Sequence, residues 1–343
     1  MIENEFIVFQ DKTVQCVFGG TIKDALQLAN KHRIIILTDD QLLQHYSNEF
    51  SGHQVISILS GEQRKQQETV DNIINQLFEL EVDKSDFIIG IGGGVVSDIA
   101  GYVASIYKRG MKLGLVPSSL LGMVDASLGG KNGINFRTIK NMIGTIYQPD
   151  FIVYDFSLLQ TLPEVEWKNG FAEIIKHSCI KDEELFKQLE NYSIEQFRAE
   201  VNLLSDIVKR NVAIKAEIVV RDVLDKSDRK LLNFGHTFGH AIEHIYNLPH
   251  GFAVAIGMVS ACKLSEKIGG FSSIQTNRII QLLQQYGLPV HHEIDHSVIM
   301  DPLKKDKKRN GENIDFVLLD SIGKAHAESI PLQFIEQHLQ TLI

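Results

Sequence analysis

Cysteine is scarce in this 343-residue chain: Cys16, Cys179 and Cys262 are odd in number and far apart. A disulfide framework is therefore excluded as the basis of the fold, and the usage suits a reducing cytoplasm. No uninterrupted apolar run approaches the roughly 20 residues that a membrane-spanning helix needs, so no membrane partner is expected. The first residues, Met1, Ile2, Glu3, Asn4 and Glu5, carry no basic stretch before an apolar one and do not read as a secretory signal. A positive balance is also missing. The formal net charge is -9, which argues against nucleic acid as the main partner, because phosphate backbones recruit basic surfaces. Internal repeats and low-complexity tracts are absent as well. What remains is 44% hydrophobic, enough to bury a real core, and long enough for two domains.

The first half alternates between short β-branched or apolar runs and helical spacing. Runs at 6–9, 15–18, 33–39, 55–59, 87–91, 112–116 and 151–155 read as strands. Between 62 and 80 the spacing of Val70, Ile73, Ile74, Leu77 and Leu80 is helical. Strands separated by helices, apolar on both faces, predict a Rossmann-like, mostly parallel sheet. After about residue 160 the strand signal fades, and the stretches 183–189, 197–217, 227–245, 253–268 and 273–286 carry helical periodicity. The expected fold is thus α/β: a nucleotide-binding domain over residues 1–160 and an all-helical domain over 161–343, with the boundary near Thr161, Leu162 and Pro163.

Three stretches carry chemistry. Gly92, Gly93, Gly94 and Val95 follow a strand and open a helix expected over 95–107. Consecutive glycines let a backbone approach a pyrophosphate, and the helix N-terminus adds the positive end of a dipole. The pattern is not G-x-G-x-x-G, since Val95 stands at the last glycine position, and a tight turn with no ligand is equally compatible. Asn233, His236 and His240 lie three and four apart, on one face of an expected helix. Gly235 and Gly239 in that stretch make sense if another backbone or a ligand must come close. His250 supplies a third imidazole, and Glu173 a carboxylate suited to a three-ligand open zinc site. Spacing alone slightly favours Glu173 and Lys176 as an ordinary surface ion pair. The third stretch, 124–135, reads as a glycine-rich loop with Asp125 and Lys131, followed by Lys140 and Asn141. Such loops cradle phosphate. Arg109, Lys215 and Arg229 are further cations, and the run 304–309 is a candidate lid or a solvated surface.

Together these segments closely resemble the 3-dehydroquinate synthases of the sugar-phosphate cyclase family, in order and over most of the chain. The resemblance implies that Glu173, His236 and His250 bind zinc, with cobalt a possible substitute, and that His240 contacts substrate. It places NAD against Gly92, Gly93, Gly94, Val95 and Asp98, with Asp39, Glu62, Lys65, Ser118, Ser119, Asp125, Lys131, Lys140 and Thr161 nearby. Arg109, Lys131, Asn141, His240 and Lys307 would hold a substrate phosphate, Arg109 reaching in from the second subunit of a homodimer. Lys215 and Arg229 would meet a carboxylate, and Asp125, Lys140, Lys176 and Asn233 the ring hydroxyls. The implied reaction takes a phosphorylated keto-acid sugar, 3-deoxy-D-arabino-heptulosonate 7-phosphate, to 3-dehydroquinate in the shikimate pathway of aromatic amino acid biosynthesis. It runs through transient oxidation by NAD, phosphate elimination, return of the hydride and aldol closure.

Some positions depart from the family pattern: Ser118, Ser119 and Asn132 stand where threonines are usual, Asp225 where glutamate is expected. Phe252 replaces a frequent glutamate and removes a possible carboxylate neighbour of His250. Other readings are a sister cyclase making 2-deoxy-scyllo-inosose or a valiolone, a metal-dependent polyol dehydrogenase, and an inactive scaffold. A sister cyclase would alter 124–131 or the Lys140–Asn141 pair, and a scaffold would lack a ligand or a phosphate cation. Neither loss is present.

Overall fold

The structure, a computed structural model, describes residues 2–10, 12–137, 139–225, 227–305 and 309–343. Its contacts separate two compact units, one of residues 1–162 with 208–224 and one of residues 163–207 with 225–343. Residues 208–224, within the expected C-terminal stretch, pack with the first unit.

The first unit is built on nine strands: β1 (Glu3–Phe9), β2 (Lys12–Phe18), β3 (Ile34–Asp39), β4 (Gln54–Ile58), β5 (Phe87–Gly92), β6 (Lys112–Pro117), β7 (Lys131–Phe136), β8 (Ile139–Ile146) and β9 (Phe151–Tyr154). Seven form one sheet in the order β1-β2-β9-β6-β5-β3-β4. Only the β1–β2 hairpin is antiparallel, and the remaining pairs are parallel, as the apolar runs predict. Ile36, Ile89, Val116 and Val153 are wholly buried along it. The helix Gly94–Ile106 lays Val96, Ile99, Ala100 and Val103 on the sheet. Gly90 makes this close approach possible, because a Cβ there would stand 2.7 Å from that of Ala100. The chain runs from β3 outward to the edge strand β4 and then back past β3 to β5. Strand order therefore reverses between β3 and β5, and the C-terminal ends of these strands are where such sheets bind ligands.

The stretch read as a glycine-rich loop is different in kind. Residues Gly122–Ala126 form a π-helical turn, and β7 and β8 pair as an antiparallel hairpin. Glycine content hid the strands. Gly133 and Gly144 face each other across the pair, and a Cβ on Gly144 would fall 2.2 Å from the Asn132 carbonyl oxygen.

The second unit is mostly helical, as expected, around Glu164–Lys181 and His250–Ile268, both buried over nearly their whole length. The all-helical reading omitted a three-stranded antiparallel sheet of β10 (Arg309–Asn310), β11 (Asn313–Ser321) and β12 (Lys324–Pro331). Ile314, Phe316 and Leu318 alternate on β11 and join Phe238, Ile242, Ile256 and Ile335 in one apolar cluster. A short alternation beside a charged run is easily taken for loop, and tertiary packing settles it.

Asn132 sits over helix Gly94–Ile106, its amide donating to the carbonyls of Gly130 (2.8 Å) and Tyr147 (2.9 Å). A Cβ at Gly101 would stand 1.9 Å from the Asn132 Oδ1. Gly101→Ala is expected to destabilise the protein by about 1–3 kcal/mol, as overpacking does. Chemical denaturation measures this, and unchanged stability would show that the hairpin does not press on the helix.

Candidate active site

In the first unit, the expected nucleotide contacts sit at the C-terminal ends of the parallel strands. Asp39 ends β3 and accepts a hydrogen bond from the Leu42 N–H at 2.9 Å, capping the next helix. Burial pushes its carboxyl above the ordinary range. Gly92 ends β5 and Gly93 caps helix Gly94–Ile106. A Cβ on Gly92 would meet Val96 at 2.4 Å, so the turn is tight because the helix begins immediately. The Ser118 N–H donates to the Gly92 carbonyl at 2.9 Å, which seats Ser118 and Ser119 at the same edge. Lys65 is buried and ion-paired to Asp98, and it donates to the Asn141 side chain at 2.5 Å. Burial raises the Asp98 carboxyl above its usual value, with the Lys65 ammonium opposing that rise. Thr161 is exposed at the end of the short helix Phe156–Thr161.

Asp125, on the π-helical turn, accepts from Lys215 Nζ at 2.6 Å, and the same ammonium also meets the Asp125 carbonyl. π-Turns recur at functional sites because they redirect a side chain out of the helical repeat. Lys131, Lys140 and Asn141 are exposed on the hairpin. Lys108, Arg109 and Gly110 have φ of 47°, 62° and 111°. These are consecutive left-handed residues, a strained corner that presents Arg109 to solvent.

The second unit brings Glu173, His236 and His250 together, with one donor atom from each lying within 4.8 Å of the others. Glu173 and Lys176 lie on helix Glu164–Lys181 with 0% and 1% of their surface exposed. They are ion-paired through Glu173 Oε2, so the reading of a surface pair fails. Oε1 is buried and, among the described residues, has no hydrogen-bond partner. It faces His236 Nε2 at 3.6 Å and His250 Nε2 at 3.5 Å. Tetrahedral ligands about 2.0–2.2 Å from an ion stand roughly 3.3–3.6 Å apart, so the two edges at Glu173 fit a tetrahedral divalent ion. Each imidazole has its other nitrogen engaged. His236 Nδ1 lies 3.1 Å from the Phe234 carbonyl, which it can only donate to, leaving Nε2 as the ligand atom. His250 Nδ1 lies 3.5 Å from Glu243 Oε2. Glu243, which sequence reasoning passed over, thus supplies the carboxylate that Phe252 removes.

Charge in the cluster is consistent with this. Burial alone would raise the Glu173 carboxyl, yet Lys176, His236 and His250 hold it well below the usual range. Burial alone would lower His250, yet Glu173 and Glu243 push it up to about 10. The pocket favours a positive charge at its centre, and a bound cation would replace that proton.

Glycines set the spacing. His236 and His250 each open a helix, His236–Tyr246 and His250–Ile268. Gly235 has φ 77°, and a Cβ there would meet Met258 at 2.6 Å, while one on Gly257 would lie 1.9 Å from the Gly235 carbonyl. The approach of a second backbone, which Gly235 and Gly239 suggested, is realised. Gly251 N–H donates to Asn169 Oδ1 at 2.9 Å, fastening the start of the His250 helix to the Glu173 helix. Asn169 left no spacing signal of its own. Gly235 also corrects the sequence reading at Asn233. That residue ends a separate 3-10 helix, Asp228–Asn233, and does not share a helix with His236 and His240. Arg229, on the same short helix, is 3% exposed. His240 is exposed, with its ring 5.1 Å from that of His236, and it lies outside the donor triangle. Lys307 lies outside the described residues.

The fold of the chain, a mostly parallel sheet unit and a mostly helical unit, matches that of sugar-phosphate cyclases of known structure. A 2-epi-5-epi-valiolone synthase from Streptomyces hygroscopicus, solved with NAD+ and Zn2+, is 28% identical with a TM-score of 0.86 over 98% of each chain. A 2-deoxy-scyllo-inosose synthase complexed with carbaglucose-6-phosphate, NAD+ and Co2+ shares the fold at 23% identity and a TM-score of 0.86 over 99% of each chain. Two family models match in series, 3-dehydroquinate synthase N-terminal over residues 55–169 and 3-dehydroquinate synthase C-terminal over 170–309. The 3-dehydroquinate synthase of Pyrococcus furiosus is 39% identical, covering 94% of this chain and 97% of its own. The chain belongs to the 3-dehydroquinate synthase family. No helix among the described residues is long and apolar enough to cross a membrane.

His236→Ala is expected to lose most bound zinc, and His240→Ala to keep it, because only the first removes a corner of the triangle. Elemental analysis of the two folded variants decides. Full zinc in His236→Ala would break the assignment.

Proposed function

We propose that the chain is a cytoplasmic, homodimeric, NAD- and zinc-dependent 3-dehydroquinate synthase, a phosphate-eliminating lyase acting on 3-deoxy-D-arabino-heptulosonate 7-phosphate. The observation that carries the reading is the buried Glu173 Oε1, without a hydrogen-bond partner among the described residues and facing two imidazole nitrogens at 3.5 and 3.6 Å. A divalent ion held there supplies Lewis-acid polarisation of a substrate hydroxyl, and NAD supplies a hydride acceptor restored within the turnover.

The chain's own groups supply the rest. Gly92, Gly93 and Gly94 present backbone N–H groups at the start of a helix to the NAD pyrophosphate. Asp39 stands at the end of β3 for a ribose hydroxyl, and Asp98, Glu62 and Lys65 line the same side. Lys176, ion-paired to Glu173, helps hold that carboxylate ionised and ready as a ligand. Lys215 and Arg229 neutralise the substrate carboxylate. Lys131, Asn141 and His240 take the phosphate, with Arg109 from the second subunit, while Asp125, Lys140 and Asn233 orient the ring hydroxyls. Two anionic ends on one small substrate call for several cations even in a chain of net charge -9.

Incubation of purified protein with the heptulosonate phosphate, zinc and catalytic NAD is expected to yield 3-dehydroquinate and phosphate with no accumulation of NADH. NADH formed in step with product would indicate a dehydrogenase, and a different carbocycle a sister cyclase.

Lys131→Ala removes a charge-assisted contact typically worth about 1.5–3 kcal/mol. The phosphate it holds must also leave, so turnover and affinity are both expected to fall, with zinc content and NAD binding near normal. Steady-state kinetics test this, and wild-type turnover would return Lys131 to the solvated surface.

A further inference from the structure

The hairpin is irregular where it matters. Ile134 pairs with Ile143, but the next pair is Phe136 with Ile139, so Asn135 alone stands opposite Lys140, Asn141 and Met142. Extra residues on one strand make a bulge, which re-aims side chains and leaves ladder groups without their regular partners. Asn135 supplies substitutes. Its Oδ1 accepts the Asn141 N–H at 2.9 Å, and Asn141 is left-handed, with φ 50°. Its Nδ2 donates to Glu62 Oε1 at 2.8 Å, and its own N–H donates to the Lys65 carbonyl at 2.7 Å. The carboxamide thus touches Asn141 and Glu62, and the backbone N–H of the same residue touches Lys65.

We infer that Asn135 is a positioning residue that shapes the Lys140–Asn141 bulge and ties the phosphate-binding groups to Glu62 and Lys65 on the NAD side. This rests on the proposed function for the identity of the two ligands. The side chain has no substitute of equal chemistry: it needs one acceptor for Asn141 and one donor for Glu62, which an amide alone offers at this length. Aspartate keeps the acceptor, but sets a second negative charge against the Glu62 carboxylate. Alanine removes both.

Two variants, Asn135→Asp and Asn135→Ala, separate the halves. With zinc-loaded protein, calorimetric titration of NAD and of inorganic phosphate reads each side. Asn135→Asp is expected to weaken NAD about tenfold and spare phosphate, whereas Asn135→Ala weakens both by about tenfold, the effect of losing one hydrogen bond to a charged or strained partner. Asn141→Ala should cost phosphate affinity in the wild type and little more in Asn135→Ala, because the two act as one unit. Hydrogen exchange over residues 139–146 should rise in Asn135→Ala and not in Asn135→Asp. Equal behaviour of the two variants, or an additive Asn135–Asn141 cycle, overturns the inference. Should the wild type bind no NAD, the proposed function fails, and the exchange data still decide whether Asn135 holds the bulge.

Discussion

Burying a carboxylate and an ammonium side by side is the constraint around which the second unit is organised. Glu173 and Lys176 sit in a helix whose other faces are apolar and packed, and each charge surrenders its hydration. A buried ion pair rarely repays that loss, and well-packed apolar residues of the same size are often more stable. The arrangement therefore makes sense as preparation. One carboxylate oxygen is spent on Lys176, which leaves the other aimed at two imidazoles with its charge intact. Everything around it serves that spacing: three glycines bring the two histidine helices together, and Asn169 ties the second of them to the helix of the carboxylate.

The first unit solves a separate problem with separate means. Its parallel strands end together, and the reversal of order between β3 and β5 opens the edge where Asp39, Gly92, Ser118 and Ser119 collect. Beside this edge stands a polar mesh of Lys65, Asp98, Asn135, Asn141 and Glu62. Rigid strands supply the platform and the bulged hairpin supplies the aim, a division seen wherever precise sites are carried on irregular backbone.

Much of this was legible in the residues. The apolar strands and the glycine turn after β5 rest on local patterns that packing reinforces, whereas the choice of Glu173, His236 and His250 as the donors came from the family resemblance and not from spacing. The burial of Glu173 was less so, since spacing alone slightly favours a solvated pair and only the apolar character of both flanks hints otherwise. Asn233 misled because a three-and-four spacing ignores a glycine able to turn the chain left-handed. The β7–β8 hairpin was hidden by its glycines, and the β11–β12 strands by a neighbouring run of charge. Asn135 and Glu243 fall at the ends of stretches the resemblance covers, but no spacing gives either a role. Their meaning arises from a bulge and from a contact between two helices, neither of which has a period.

The ion pair of Lys215 with Asp125 has a temporal side. Its partners are separated by 90 residues, and the intervening chain includes residues 163–207, which belong to the other unit. During synthesis, at about 5–20 residues per second, the sheet of the first unit emerges whole while Asp125 still waits for its lysine. The ribosome must deliver the start of the second unit before the first is complete. Cutting the chain at the apparent boundary would therefore yield a sheet without residues 208–224, most of which lie on the helix Val201–Arg221. The two units are translated as one interleaved piece, so neither corresponds to a single continuous stretch of chain.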